Sequence, residues 1–442
     1  MKLSHEWLDA PGVRDPVLSR TWARLSVEID GAPATQLVDT RSDATRNAIY
    51  GTVFPLARWL VENWCFLLYE PPCASLPDRG RALTGAKQHP WAHRHSLLTA
   101  RDGGSLPDLL IFGDESEVEF RWYPDNVEDL GGRPVRFVGL GSARVDVQRV
   151  RGAFSEFVEA VARRTEDLHN DEVDRFRDAW EDLKRAEHES PDECRWAAQL
   201  GLDWADSEEY PDELIEAIRQ ALDTIDASIR EDLLRAASPA SLQADASWLA
   251  SAAEVVSKHR TRRPVIVPQL GQPKESEAHR FGYAYASRLR EALGLGRKPI
   301  GEFGDVFDRL GWNNTVTETL PGASKRLDSL SGPGPGSSPV IVTRPMPSNQ
   351  RRFHFARNVF HWLVVPDKSS LGLMTRAHSW RQRASRAFAA ELLVPSTDLA
   401  TRVTEDAVSM DEVTELAEYY SVSDMVVLWQ LENHKISQLL VE

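Results

Sequence analysis

The stretch Arg351–Pro366, RRFHFARNVFHWLVVP, holds the residues whose types and spacing come nearest to doing chemistry. Two histidines one helical turn apart share a face and can hold zinc, and a glutamate between them can polarise the metal-bound water. The five positions here are Arg357, Asn358, Val359, Phe360 and His361. The first ligand is a fixed cation, the general base is an amide, and only the second histidine is kept. A guanidinium repels a dication, and an amide takes no proton from water. His354, Asn358 and His361 fall at i, i+4 and i+7, along one helix face. His354 and His361 are ~10 Å apart along the axis, with Arg357 between them. His378 could approach from the next segment. Hydrogen-bonded structural histidines are one reading; a zinc site rebuilt from His361, His354 and His378 is the other.

The surrounding motifs carry a family likeness. Val340-Ile341-Val342 precedes Arg351-Arg352-Phe353, and Ala356 stands just before the altered five residues. Then come Phe388-Ala389-Ala390-Glu391-Leu392-Leu393-Val394-Pro395 and Leu416–Ser423, LAEYYSVS, a helix-turn-helix-like segment. Upstream, Ala284–Leu293 and Pro299–Trp312 read as opening helices. From about Glu275 to Glu442 the chain resembles the ImmA/IrrE family of metallopeptidases. The resemblance implies a zincin-like, mainly helical domain with a small sheet. It also implies a glutamate as third ligand shortly before the F-A-A run. The matching Trp380–Ala387, WRQRASRA, has no carboxylate; Gln382 or Ala384 takes that position. Two ligands and the base are therefore absent, so the likeness implies a pseudo-peptidase without catalytic residues or a resident metal. Glu391 reads as a helix-packing or surface residue.

The charge around the motif points elsewhere. Arg351, Arg352, Arg357, Lys368, Arg376, Arg381, Arg383 and Arg386 form a basic island broken only by Asp367, in a chain of formal charge −15. Arginine suits bidentate recognition of phosphate or carboxylate. Arg357, Arg376, Arg381, Arg383 and Arg386 are thus candidates for an anion or acidic-partner site. The competing reading pairs them with the chain's own carboxylates.

These segments sit in a 442-residue chain with room for two or three domains. No run approaches the ~20 apolar residues of a membrane span, and MKLSHEWLDA has no signal-peptide core. Cys65, Cys73 and Cys194 show no ligand spacing, which suits a reducing cytoplasm. A pI near 5.4 argues against duplex DNA as the main partner. The segment Ser421–His434 is flanked by Glu418, Asp424 and Glu432 and offers few phosphate contacts.

The fold class expected is α+β, multi-domain. Residues 1–165 read as an N-terminal α/β unit, with strands at Thr21–Ile29, 109–112, 118–122 and 135–138, a hairpin signal at Asp30-Gly31, and helices at Val53–Leu68 and Val147–Ala162. Trp59, Trp64, Trp91 and Trp122 are core or partner-surface candidates. In QHPWAHRHSL, a strand would put His93 and His95 on one face, with His89 nearby, a weak metal pattern. Residues 166–263 read as an acidic helical region ending in the linker Arg260–Pro264. The C-terminal domain spans 264–442, with Ser331–Pro339, SGPGPGSSP, as a flexible loop inside it.

Two functions follow. One is a non-catalytic sensor or regulator that takes a protein partner or small anionic ligand. By its family resemblance it would sit in a bacterial stress, toxin–antitoxin or phage-defence setting. The other is a zinc metallopeptidase with an atypical site that cleaves a regulatory protein.

Overall fold

A computed structural model describes residues 1–10, 12–73, 90–101, 105–114, 116–125, 134–261, 263–403 and 407–440. The chain is an α+β protein in two compact units, Met1–Asp212 and Glu213–Glu442. The stretch 166–263, expected as a region of its own, is divided between them. Val173, Phe176, Trp180 and Leu183 enter the core of the first unit. Farther on, Trp248 donates its indole N–H to Leu320 O at 3.0 Å, within the second. No helix among the described residues is long and apolar enough to cross a membrane.

In the first unit the strand Trp22–Ile29 alternates buried and exposed positions. It turns through Asp30 (φ 50°) and Gly31 (φ 82°) into an antiparallel partner at Ala32–Pro33. Such left-handed pairs favour the tight hairpin. The other expected strands form as Asp108–Asp114, Glu117–Tyr123 and Val135–Phe137. Val53–Leu68, expected as one helix, is two: Phe54–Glu62 and Trp64–Tyr69. Asn63 leaves helical geometry while its side chain bonds Trp59 O at 2.9 Å, the local competition asparagine offers to a helix. All four tryptophans named above are buried, so they are core. Cys65 and Cys194 are joined as a disulfide across 129 residues with Cα atoms 5.8 Å apart, which removes the cysteine argument for a reducing compartment.

The second unit carries the motifs. Its sheet has strands β1 (Val316–Thr319), β2 (Leu327–Pro333), β3 (Pro339–Thr343) and β4 (Gly372–Thr375), in the order β1-β3-β2-β4. Only β1 and β3 run parallel. The helices that matter here are α1 (Ala278–Ala292), α2 (Ser348–Val364), α3 (Trp380–Leu393), α4 (Met410–Tyr420) and α5 (Asp424–Asn433). Ser421, at φ 54°, makes the tight turn between α4 and α5.

Ser331–Pro339 is not a flexible loop. Its first half completes β2, buried along its whole length, and a short turn through Gly336 (φ 61°) leads into β3. The small residues are the reason. The helix Leu242–His259 lies so close that Val256 leaves no room for a Cβ on Gly332. Gly282 of α1 likewise meets Ala384 O of α3 too closely for any side chain.

Closing a loop of this length removes denatured-state entropy equivalent to about 2–5 kcal/mol. Reductant, or Cys194→Ala, is expected to lower the urea midpoint of the first unit accordingly. An unchanged midpoint with the thiols demonstrably free would contradict the pairing.

Candidate functional site

The site is built where β2 meets α2. Pairing between β2 and β4 shifts register between Leu327 and Ser329, leaving Asp328 as the extra residue of a bulge. A bulge breaks the alternation of a strand and re-aims a side chain. Asp328 and Ser329 therefore both reach α2: Asp328 bonds Arg357, and Ser329 Oγ accepts from Asn358 Nδ2 at 2.9 Å. On α2, His354, Arg357, Asn358 and His361 are all buried along one face.

Arg357 is 1 % exposed, and its guanidinium is saturated. Nη1 donates to Asp328 Oδ2 at 2.8 Å, Nε to Ser385 Oγ at 3.0 Å, and Nη2 to Thr375 O at 2.7 Å and Gln382 Oε1 at 2.5 Å. His354 Nδ1 lies 3.5 Å from Nη1. Gln382 uses both ends of its amide, since Nε2 donates to Leu373 O at 2.9 Å and Oε1 also accepts from Thr375 N at 3.2 Å. A carboxylate there would lose the first of these bonds. Of the two positions expected to replace the third ligand, Gln382 faces the site, whereas Ala384 is a buried core residue whose backbone O lies against Gly282 of α1.

The electrostatics follow from burial. Burial opposes ionisation of Asp328, but His354, in the acid range where it carries a proton, together with Arg357, Arg376 and Arg344 outweighs it and holds the carboxyl below its ordinary range. Burial also lowers His354 to about 4, helped by Arg357, Arg344 and Arg376 and opposed by Asp328. His354 is thus a neutral member of the cluster. His361 is lowered well below its ordinary value by burial, then by Arg381 and Lys368. Its ring lies flat against Gly372 with neither nitrogen hydrogen-bonded. His378 is lowered to about 4 by burial, Arg386 and Arg383.

Zinc does not fit these residues. Arg357 brings a guanidinium, with five donors and no lone pair. Among the described residues no group of three His, Cys, Asp or Glu could hold a metal, so His354, His361 and His378 do not converge.

Most of the basic island is spent internally. Arg352 donates to Ile300 O and Gly301 O at 2.7 Å each, and Lys368 caps α2 through Val365 O at 2.6 Å and Leu363 O at 3.2 Å. Arg381 pairs with buried Asp232. Arg386 donates to Ala377 O at 3.0 Å and is lowered to about 9 by burial, Arg357 and Arg383. Arg383 adds to that positive field. Arg351 and Arg376 are exposed, the Arg376 side chain at 57 %. Glu391 packs as expected: it accepts from Ser396 N and Oγ at 3.1 and 2.9 Å, and from Gln430 Nε2 at 2.8 Å.

In the first unit, His93 and His95 do not share a strand face. They belong to a short helix, Pro90–His95, with His93 exposed and His95 buried; His89 lies outside the described residues. His95 contacts Ile111 O through Nδ1 at 2.7 Å and Glu70 Oε2 through Nε2 at 2.8 Å. Both neighbours can accept, so the ring is held between a backbone carbonyl and a carboxylate. Arg94 completes the pair, its Nε 2.9 Å from Glu70 Oε2. Burial opposes the ionised Glu70, and His95 and Arg94 together overcome it. This is a buried structural network.

Comparison of the chain with protein-family models and with curated proteins finds no match.

Two expectations follow. Arg357→Met strands Asp328 as a lone buried carboxylate and should cost about 3–5 kcal/mol in chemical denaturation; a loss under ~1 kcal/mol would contradict the bonding described. Separately, an unfolded histidine near its ordinary 6.5 binds a proton that His354, at about 4, refuses. Stability should therefore be full above about pH 6.5 and fall toward pH 4, with His361 and His378 acting in the same direction. The lowered Asp328 adds its own loss only below the ordinary carboxylate range. His354→Gln should flatten the limb between pH 6.5 and 4 by on the order of 3 kcal/mol; an unaltered limb would count against it.

Proposed function

We propose that the second unit is a non-catalytic domain of the ImmA/IrrE peptidase type and that the protein is a sensor or regulator. The observation that carries this reading is Arg357. A covalently attached cation, held by Asp328, Gln382, Ser385 and the Thr375 carbonyl, occupies the helix position where a zinc ligand would stand. The base position is Asn358, whose Nδ2 is committed to Ser329 Oγ and His354 O. Among the described residues the remaining histidine, His361, belongs to no group of three His, Cys, Asp or Glu that could hold a metal. Nothing in this donor set can activate water, so the domain's use is recognition by a partner or small ligand. Such recognition would fit a bacterial stress or defence system.

Elemental analysis of the purified full-length chain tests this. Zinc far below one per chain, with no turnover of protein substrates, is expected. One zinc per chain that disappears in His361→Ala would overturn the reading.

A further inference from the structure

Asp328 is shared by more cations than it can neutralise. Arg357 Nη1 lies 2.8 Å from it, Arg344 Nη2 3.5 Å, and Arg376 Nε 3.8 Å. Only the first is a short, well-made bond. His354, whose Nε2 is 3.6 Å from Oδ1, adds no charge because burial keeps it neutral. One carboxylate thus faces three guanidinium groups, leaving two positive charges uncompensated among these residues.

The two surplus arginines are placed by the sheet. β3 and β4 flank β2 on either side, and each ends beside the bulge: Arg344 directly follows β3 and Arg376 directly follows β4. Their backbones are anchored, Arg344 N to Asp328 O at 3.3 Å and Arg376 N to Arg326 O at 2.9 Å. Arg344 otherwise reaches only Pro345 O, at 3.5 Å, and its Nε is buried with no hydrogen bond. Arg376 keeps more than half of its side chain in solvent. The two guanidinium groups therefore straddle a carboxylate that Arg357 has already claimed, with one side open to water.

We propose that Arg344 and Arg376 bind the terminal phosphoryl group of a small phosphate compound over this rim. A phosphoryl dianion matches the two surplus charges, and each planar guanidinium offers two parallel donors to its oxygens. A carboxylate would compensate only one charge. The overall formal charge of −15 gives no long-range attraction for an anion, so recognition is local. The proposal rests on the non-catalytic reading, because it makes the filled pocket the floor of a ligand site.

Calorimetric titration of the full-length protein at matched ionic strength tests it, using inorganic phosphate, adenosine 5′-monophosphate and acetate. Phosphate and the monophosphate should both bind saturably below about 10 mM, and acetate should not. The tighter of the two tells whether free phosphate or a phosphomonoester is the natural ligand. Arg344→Ala and Arg376→Ala should each weaken binding by about tenfold or more. Arg376 supports little of the fold, so its variant should keep the parent's melting temperature and remain interpretable if Arg344→Ala unfolds. No saturable phosphate binding, or binding undiminished in Arg376→Ala, would overturn the proposal. Zinc analysis of the same preparation separates the failures. Metal-free protein that ignores phosphate loses only this site, whereas one zinc per chain removes the reading beneath it.

Discussion

A single buried ion pair, Arg357 with Asp328, organises the C-terminal unit. Both groups are almost wholly out of water. Desolvating two charges costs several kcal/mol each, and their attraction offsets this only when the remaining donors and acceptors are satisfied. That condition accounts for the neighbours. Ser385 and Gln382 come from α3 and the Thr375 carbonyl from the end of β4, and each takes one guanidinium N–H. One side chain thereby ties together the bulged strand β2, the motif helix α2, the following helix α3 and the edge strand β4. The bulge at Asp328 is part of the same constraint, since a regular strand could not turn Asp328 and Ser329 toward one helix.

The same constraint explains why a histidine-bearing helix need not be a catalytic one. Burial first, and then neighbouring guanidinium groups, penalise protonation of the imidazoles: His354, beside Arg357, and His378, beside Arg386 and Arg383, both fall to about 4. His361, pressed against Gly372, serves as a flat filler of the core. The surrounding arginines are largely consumed by backbone carbonyls and by Asp232. Beside the ion pair stand part-buried Arg344 and exposed Arg376, each held by the end of a strand that flanks β2.

The sequence was readable where local pattern decides structure. That Arg357 and Asn358 do not suit a metal site was visible in the residue types themselves, and the alternation of Trp22–Ile29 and the Asp30-Gly31 turn gave a hairpin that forms. The expected packing role of Glu391 agrees with its bonds. Asp328 was invisible because its partner lies 29 residues away and its orientation depends on a bulge, which no period-2 pattern encodes. SGPGPGSSP misled for a related reason: glycine and serine signal loops, yet here they permit a close-packed buried strand. Asn63 broke an apolar helix that periodicity alone would extend. Nothing local marked the Cys65–Cys194 pair either, as the two residues meet only through the folded unit.

Whether Arg357 and Asp328 act as one unit is measured directly by a double-mutant cycle. Unfolding free energies of the parent, Arg357→Met, Asp328→Asn and the double variant should give a coupling energy above about 2 kcal/mol, since either single change strands a buried polar partner. Losses that add to within ~0.5 kcal/mol would mean that the two groups do not depend on each other, and the ion pair could not be what fills the site.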